Sequence, residues 1–196
     1  MAIDFENYDN ENHDEHTVAR LIFESDPVFN TLVYGKDAVA VIERMLRLGS
    51  NYFDSRYTRC AIHEGSVVGV VVGFPISGKA EIDQESGKGF ARAMGFFQFL
   101  ARMPLFVRMD TMMPAVDDED GYYVHTISVG ADFRGRGFGS QMIERVASEH
   151  GALYLHVNRD NEGAIRFYER NGFQRLAEGS MVHKGRELSQ VLMGRR

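Results

Sequence analysis

Residues 121–172 read GYYVHTISVGADFRGRGFGSQMIERVASEHGALYLHVNRDNEGAIRFYERNG. Tyr122–Val129 has the β-branched and aromatic content of a strand. Phe138–His150 repeats apolar residues at helical spacing, with Met142, Ile143, Val146 and Ala147 on one face and Gly151 as its stop. Ala152–Val157 is a second strand, and Asn161–Asn171 a second helix, capped by Asp160 or Asn161 and ended by Gly172. Between the first strand and helix lies Arg134-Gly135-Arg136-Gly137-Phe138-Gly139. A turn of this kind aims unpaired amides and the positive end of the helix dipole at one point, which suits an anion and above all a phosphate.

Upstream, residues 3–8 alternate as a short strand, and Val18, Leu21 and Ile22 mark a helix broken at Asp26-Pro27. Val28–Gly35 reads as an apolar loop or short helix. A helix from Asp37 to Leu48 follows, striped by Val39, Ile42, Met45 and Leu46. Residues 57–63 and 66–74, joined through Glu64-Gly65, form an antiparallel hairpin whose second strand is apolar enough to be covered on both faces. Residues 76–120 are the irregular part. A helical pattern runs from about Glu85 to Met103, Pro104 interrupts it, and a Met-rich stretch leads to the acidic run 117–120. The segment is too short for its own core, so it reads as an insertion between two strands. Phe173–Leu176 and Glu187–Met193 are closing strands. The order is mixed α/β: an antiparallel front half, a βαβ crossover, then a βαββ tail.

Composition excludes several classes. The 196 residues suffice for one domain with a sizeable core, and 44% hydrophobic with 26% charged residues is ordinary globular composition. A net charge of −6 argues against non-specific nucleic-acid binding. No apolar run approaches the ~20 residues of a membrane span, and the stretch from Met1 lacks the basic and apolar regions of a secretory signal. A single cysteine, Cys60, excludes an internal disulfide framework and fits a reducing cytoplasm. His13 and His16 have helical metal spacing without a further ligand cluster, so no metal is expected.

The glycine turn admits three phosphate readings. A dinucleotide fingerprint would need a third glycine where Ser140 stands, and a P-loop would need Gly-Lys-Ser/Thr, which Gly87-Lys88-Gly89 does not supply. The third, R-x-x-G-x-G, is met by Arg134, Gly137 and Gly139. Together with N-x-x-A-x-x-x-Y-x-x-x-G-F at Asn161, Ala164, Tyr168, Gly172 and Phe173, it resembles the GNAT superfamily of acetyl-CoA-dependent N-acetyltransferases. The motifs resemble those of the protein N-terminal acetyltransferases most. The resemblance covers residues 121–175 strongly and implies a GNAT-like α/β (α+β) fold: a mixed, mostly antiparallel twisted sheet with a central βαβ crossover and helices on both faces, one domain over 1–196 with the helical insertion at about 76–120. It implies acetyl-CoA as co-substrate. Amides from Arg134, Gly135, Arg136, Gly137, Phe138, Gly139 and Ser140 would take the pyrophosphate. Strands 122–129 and 152–157 would splay around the pantetheine, with contacts from Ile127, Ser128 and Val129, and the Val129 amide would serve as oxyanion donor. Asn161 would both cap its helix and touch the pantetheine.

Making an amide from a thioester requires a neutral amine, so a base must take a proton and an acid must meet the departing thiolate. The resemblance assigns the acid to Tyr168. Two residues lead for the base, His156 in LYLHV and Tyr123 at the opening of the preceding strand, with His125 behind them. Peptide-acting members bind their acceptor between the loop that joins the first two helices and the last hairpin. Pro27-Val28-Phe29 resembles their pocket loop, but the closing hairpin carries Met181, Val182 and His183 in place of a tyrosine pair, and 76–120 has no counterpart. The acceptor is therefore open among a protein N-terminus, a lysine and a small amine. Residues 90–113 read as packing, a lid or a homodimer face. A rival reading is a catalytically weak acetyl-CoA sensor.

Overall fold

The computed structural model describes residues 2–109 and 111–196; Met1 and Asp110, the latter inside the Met-rich stretch, lie outside them. The strands are β1 (Asp4–Asn7), β2 (Thr58–His63), β3 (Ser66–Pro75), β4 (Tyr122–Val129), β5 (Leu153–Asn158), β6 (Gln174–His183) and β7 (Arg186–Arg195). The α-helices are α1 (Glu15–Ser25), α2 (Pro27–Tyr34), α3 (Ala38–Leu48), α4 (Lys79–Met94), α5 (Phe96–Met109), α6 (Phe138–His150) and α7 (Glu162–Arg170). The strands form one sheet in the order β1-β2-β3-β4-β5-β7-β6. Every pairing is antiparallel except β4 with β5, the crossover through α6. This is the mixed sheet the resemblance implies.

Alternation sends Cys60, Val70 and Val72 into a core with α1, α2, α3 and α4, while Ala61, Val71 and Val124 pack with α6 and α7 on the opposite face. Helices therefore cover both faces, which explains the near-continuous apolar run of β3. Residues Glu64 and Gly65 both have positive φ (51° and 73°), the backbone a two-residue hairpin needs to match strand twist. Lys184 and Gly185 repeat the device between β6 and β7, with φ of 49° and 76°.

Of the two readings of Val28–Gly35 the short helix holds: α2 spans Pro27–Tyr34, with Pro27 in the first turn and Asp26 Oδ1 accepting from the Phe29 amide at 2.9 Å. The structure corrects three other expectations. The insertion helix begins at Lys79, ahead of Glu85, because Ile82, Ser86, Gly89 and Ala93 share a buried face. Gly89 is there for contact: a Cβ on it would sit 3.1 Å from Cβ of Asn51. Pro104 lies inside α5, and the break comes instead at Gly95, whose φ of +89° only glycine adopts readily. Finally, β6 runs on to His183 and β7 starts at Arg186. Most of β6 is exposed at the sheet edge, so apolar alternation could not mark it.

Candidate active site

The crossover leaves a gap. β4 and β5 pair only at Tyr122 with Leu153 and Tyr123 with Tyr154, then diverge. Opposite β3, Val72 pairs with Thr126 and Gly73 with Val124, so His125 is an extra residue, a β-bulge. The bulge changes which residues face each way: Tyr122 and Val124, then Ile127 and Val129, pack on the α6 layer. The Gly130 amide donates to the Val68 carbonyl at 2.9 Å. By alternation, the backbone groups of Val129 and Ile127 point away from β3, into the gap. Ser128 pairs with Val70 and has a buried side chain, so of the three predicted residues it is the one turned from the gap.

The turn beyond β4 opens α6. Gly135 and Gly137 have φ of +76° and +82°, and a Cβ on either would meet nothing within 4 Å. No side chain caps α6, and its first backbone bond runs from Gln141 to Gly137. The amides of Phe138, Gly139 and Ser140 thus precede the helical ladder. Arg134 Nε donates to the Val129 carbonyl at 2.9 Å, tying the turn to the strand end. Arg136 Nη2 donates to the Asp132 carbonyl at 3.0 Å. Gly139 has a packing reason as well: its missing Cβ would press Phe167 of α7 at 2.9 Å.

The gap continues into a cavity of about 860 Å³. Its walls include Tyr123, His125, Ile127, His156, Asn161 and Tyr168, so the structure gathers the catalytic candidates in one space. The hydroxyl of Tyr123 lies 2.8 Å from His156 Nδ1, and His156 Nε2 lies 3.0 Å from the Pro114 carbonyl. A carbonyl only accepts, so Nε2 carries a proton; in the neutral ring Nδ1 is then the acceptor and Tyr123 the donor. Burial, the largest influence, lowers the His156 pKa to about 4, against a smaller opposing pull from Pro114. Burial also raises the phenols of Tyr123 and Tyr168, so both stay protonated at neutral pH. The Tyr168 hydroxyl bonds to no described residue, and its ring packs edge-on to Phe173 at 5.5 Å. His125 also is lowered to about 4 by burial; its ring stacks on Tyr52 at 4.8 Å and its Nδ1 meets Thr126 Oγ1 at 3.0 Å.

Asn161 caps α7 through Oδ1, which accepts from the Ala164 amide at 3.1 Å, and it lines the cavity beside Ala164. Several participants were not foreseen. The Pro114 carbonyl, 42 residues from its histidine, has no sequence signature. Tyr52 donates to Asp83 at 2.6 Å, and Asp83 pairs with Lys79 at 2.6 Å, all on the cavity wall. Asp118 of the acidic run accepts from the Tyr154 hydroxyl at 2.5 Å, an anchor for the loop entering β4. His13 and His16 are separately engaged, by Asp9 and Glu43. Among the described residues no group of three or more potential metal ligands occurs, and no helix is long and apolar enough to cross a membrane.

Known proteins share this sequence pattern and this fold. The sequence model described as "Acetyltransferase (GNAT) family" matches residues 35–173, more than two thirds of the chain. N-alpha-acetyltransferase RimI of Mycobacterium tuberculosis is 39% identical over 57 residues, 28% of this chain and 36% of that protein. N-alpha-acetyltransferase 60 of Xenopus tropicalis is 28% identical over 125 residues, 60% of this chain and 43% of that protein. The chain thus spans less than half the length of these curated relatives. An N-acetyltransferase from Staphylococcus aureus Mu50 shares the fold, with a TM-score of 0.67 at 17% identity over 96% of this chain and 99% of that one. A GNAT family acetyltransferase from Elizabethkingia anophelis, solved with acetyl-CoA bound, superposes with a TM-score of 0.54 at 14% identity, covering 98% and 97%. The chain belongs to the acetyltransferase (GNAT) family.

Proposed function

We propose that this protein is an N-acetyltransferase, one domain acting in the cytoplasm, that moves the acetyl group of acetyl-CoA to a primary amine. The observation that carries the reading is the Tyr123–His156–Pro114 chain of hydrogen bonds, on the wall of a cavity that opens into the β4–β5 gap. The gap suits a pantetheine arm: the backbone groups of Ile127 and Val129 face it, and the open positive-φ glycines Gly135 and Gly137 leave room for a pyrophosphate beside the α6 amides. In this reading Arg134, Arg136, Phe138, Gly139 and Ser140 form the phosphate turn, Ser128 holds the strand register, and Asn161 presents its side-chain amino group to the arm. The cytoplasmic assignment rests on a buried free thiol, Cys60.

When bound, acetyl-CoA supplies a thioester whose carbonyl carbon is the electrophile. Tyr123 accepts a proton from the incoming ammonium, directly or through one water, while its own proton passes to His156 Nδ1. His156 becomes an imidazolium held by the Pro114 carbonyl. The freed amine forms the C–N bond, the C–S bond breaks, and the Tyr168 hydroxyl gives its proton to the departing thiolate and is restored by the proton that the new amide nitrogen sheds. The Val129 amide stabilises the developing oxyanion. His125, stacked under Tyr52, has no part in the relay.

The test is thiol release from acetyl-CoA over a panel of small amines, lysine and N-terminal peptides, with cofactor affinity measured by calorimetry. Turnover on at least one amine is expected. Tight acetyl-CoA binding with no release on any acceptor would instead favour a sensor module.

A further inference from the structure

The amine-acylation reading leaves the acceptor unnamed, and the inserted segment narrows it. The cavity that holds Tyr123, His156 and Tyr168 is also walled by Phe90 of α4 and by Phe99, Met103, Phe106 and Val107 of α5. Phe106 stacks on Phe90 at 5.8 Å and meets Phe99 at 5.9 Å; Phe90 in turn meets Tyr34 at 5.5 Å and Tyr52 at 6.2 Å. The Tyr52 hydroxyl is already given to Asp83. The α5 side of this wall offers ring faces and thioethers, not partners for peptide N–H and C=O groups, and Lys79 and Asp83 of α4 are already paired with each other and Tyr52.

The same segment ties α2 to the β6–β7 hairpin. Leu105, Met112 and Met181 are buried together against Phe29, Leu32 and Leu188. Arg108 Nη2 donates to the Val182 carbonyl at 2.8 Å. Gly179 is pressed so closely that a Cβ there would lie 2.7 Å from the Met112 carbonyl oxygen. An extended chain laid between α2 and the hairpin would have to displace this packing. One laid against α5 would bury main-chain polar groups without partners, which folded interiors avoid.

From these observations we infer that the acceptor is a primary amine on a compact apolar body, aromatic or branched aliphatic, seated against Phe99 and Phe106, and that peptide N-termini are poor acceptors. Ring faces also suit an ammonium as it arrives, through cation–π attraction.

The experiment uses the full chain. Calorimetry with acetyl-CoA comes first: failure to bind would overturn the transfer reading itself. With binding established, kcat/KM is compared for 2-phenylethylamine and a tetrapeptide with a free α-amine. The expected preference for the arylalkylamine is about tenfold or more, the scale one apolar pocket supplies. Phe106→Ala should raise KM for the amine about tenfold while leaving acetyl-CoA affinity unchanged. Should that variant not fold, Phe99→Leu reads the same wall. Phe97→Ala, on the outer face of α5, should leave all values unchanged. Equal or better turnover of the peptide, or an unmoved KM in Phe106→Ala, would overturn the acceptor assignment and leave the transfer reading standing.

Discussion

At the scale of single residues, the assignment turns on the tautomer of His156. Because Pro114 can only accept, the ring is held with Nε2 protonated and Nδ1 free to take the Tyr123 proton. A histidine in that state is competent as a base without first losing a proton at neutral pH, since burial puts its pKa at about 4. Two outcomes are expected. His156→Gln should lower kcat by about 100-fold or more, the usual worth of a positioned base, with little change in acetyl-CoA affinity. Tyr123→Phe should lose about as much, and the double variant should lose little more than either alone, since one relay is broken in each case. In the wild type, kcat should show no inflection near the ordinary histidine value of ~6.5; its acid limb belongs near 4, and it should vanish in His156→Gln. Initial rates at saturating substrate across the pH range decide this, and an unaltered limb in the variant would move the base elsewhere. The sequence offers both Tyr123 and His156 as base candidates, on neighbouring strands 33 residues apart; it does not show the Pro114 carbonyl, from the least regular part of the chain, that orders the proposed relay.

At the scale of elements, the α6 and α7 entries were legible because glycine and asparagine there have backbone reasons. Gly137 sits at φ +82° with open space where a Cβ would go. This separates two substitutions. Gly137→Ala adds strain of about 1 kcal/mol and leaves the mouth clear; acetyl-CoA affinity should stay within about tenfold. Gly137→Glu brings the same strain plus a carboxylate facing the bound phosphates, and affinity should fall about 100-fold or more at low salt. Calorimetry on both variants reads the difference, and equal losses would mean that the turn acts by shape alone. Asn161 can be divided likewise. Asn161→Ala should cost about 1 kcal/mol of stability through the lost cap. Asn161→Asp keeps the capping oxygen and removes the amino group, so weaker cofactor binding without destabilisation would identify a direct contact. Elements with strong periodicity, β4, α6, β5 and α7, ended within a residue or two of expectation. Elements governed by tertiary contact did not. The start of α4 depends on Ser86 accepting from the Tyr52 amide and on Gly89 meeting Asn51, and neither shows in a polar stretch such as SGKAEIDQESGKG.

For the whole molecule, the site imposes a dependence of stability on pH. His125 and His156, both facing the cavity, are pushed down to about 4 by burial, and His150, stacked on Tyr122 at 3.9 Å, is lowered by burial too. Around His125 the charges act in opposite directions: Lys79 and His156 lower its pKa and Asp83 raises it. In the unfolded chain each histidine titrates near ~6.5. Between that value and about 4 the unfolded state therefore binds more protons than the native one, so stability rises with pH through this window. It is fully present above the unfolded value, falls as the pH drops toward 4, and levels off with respect to these groups below that. The lowered carboxylates, Asp14, Asp54, Glu144 and Glu149, act in the same direction but only in the more acid range, while Asp26, raised by burial, acts in the opposite direction. The expected outcome is a denaturation midpoint that declines clearly from pH 7.5 to pH 5 and a slope that flattens in His125→Gln, which keeps a polar side chain without a titration. Since His125 lies outside the proposed relay, that variant should retain the kcat profile of the wild type, so the two roles of buried histidine separate in one pair of measurements. A midpoint that does not move between the two pH values would mean that the cavity histidines charge freely in the native state, and the neutral base would go with it.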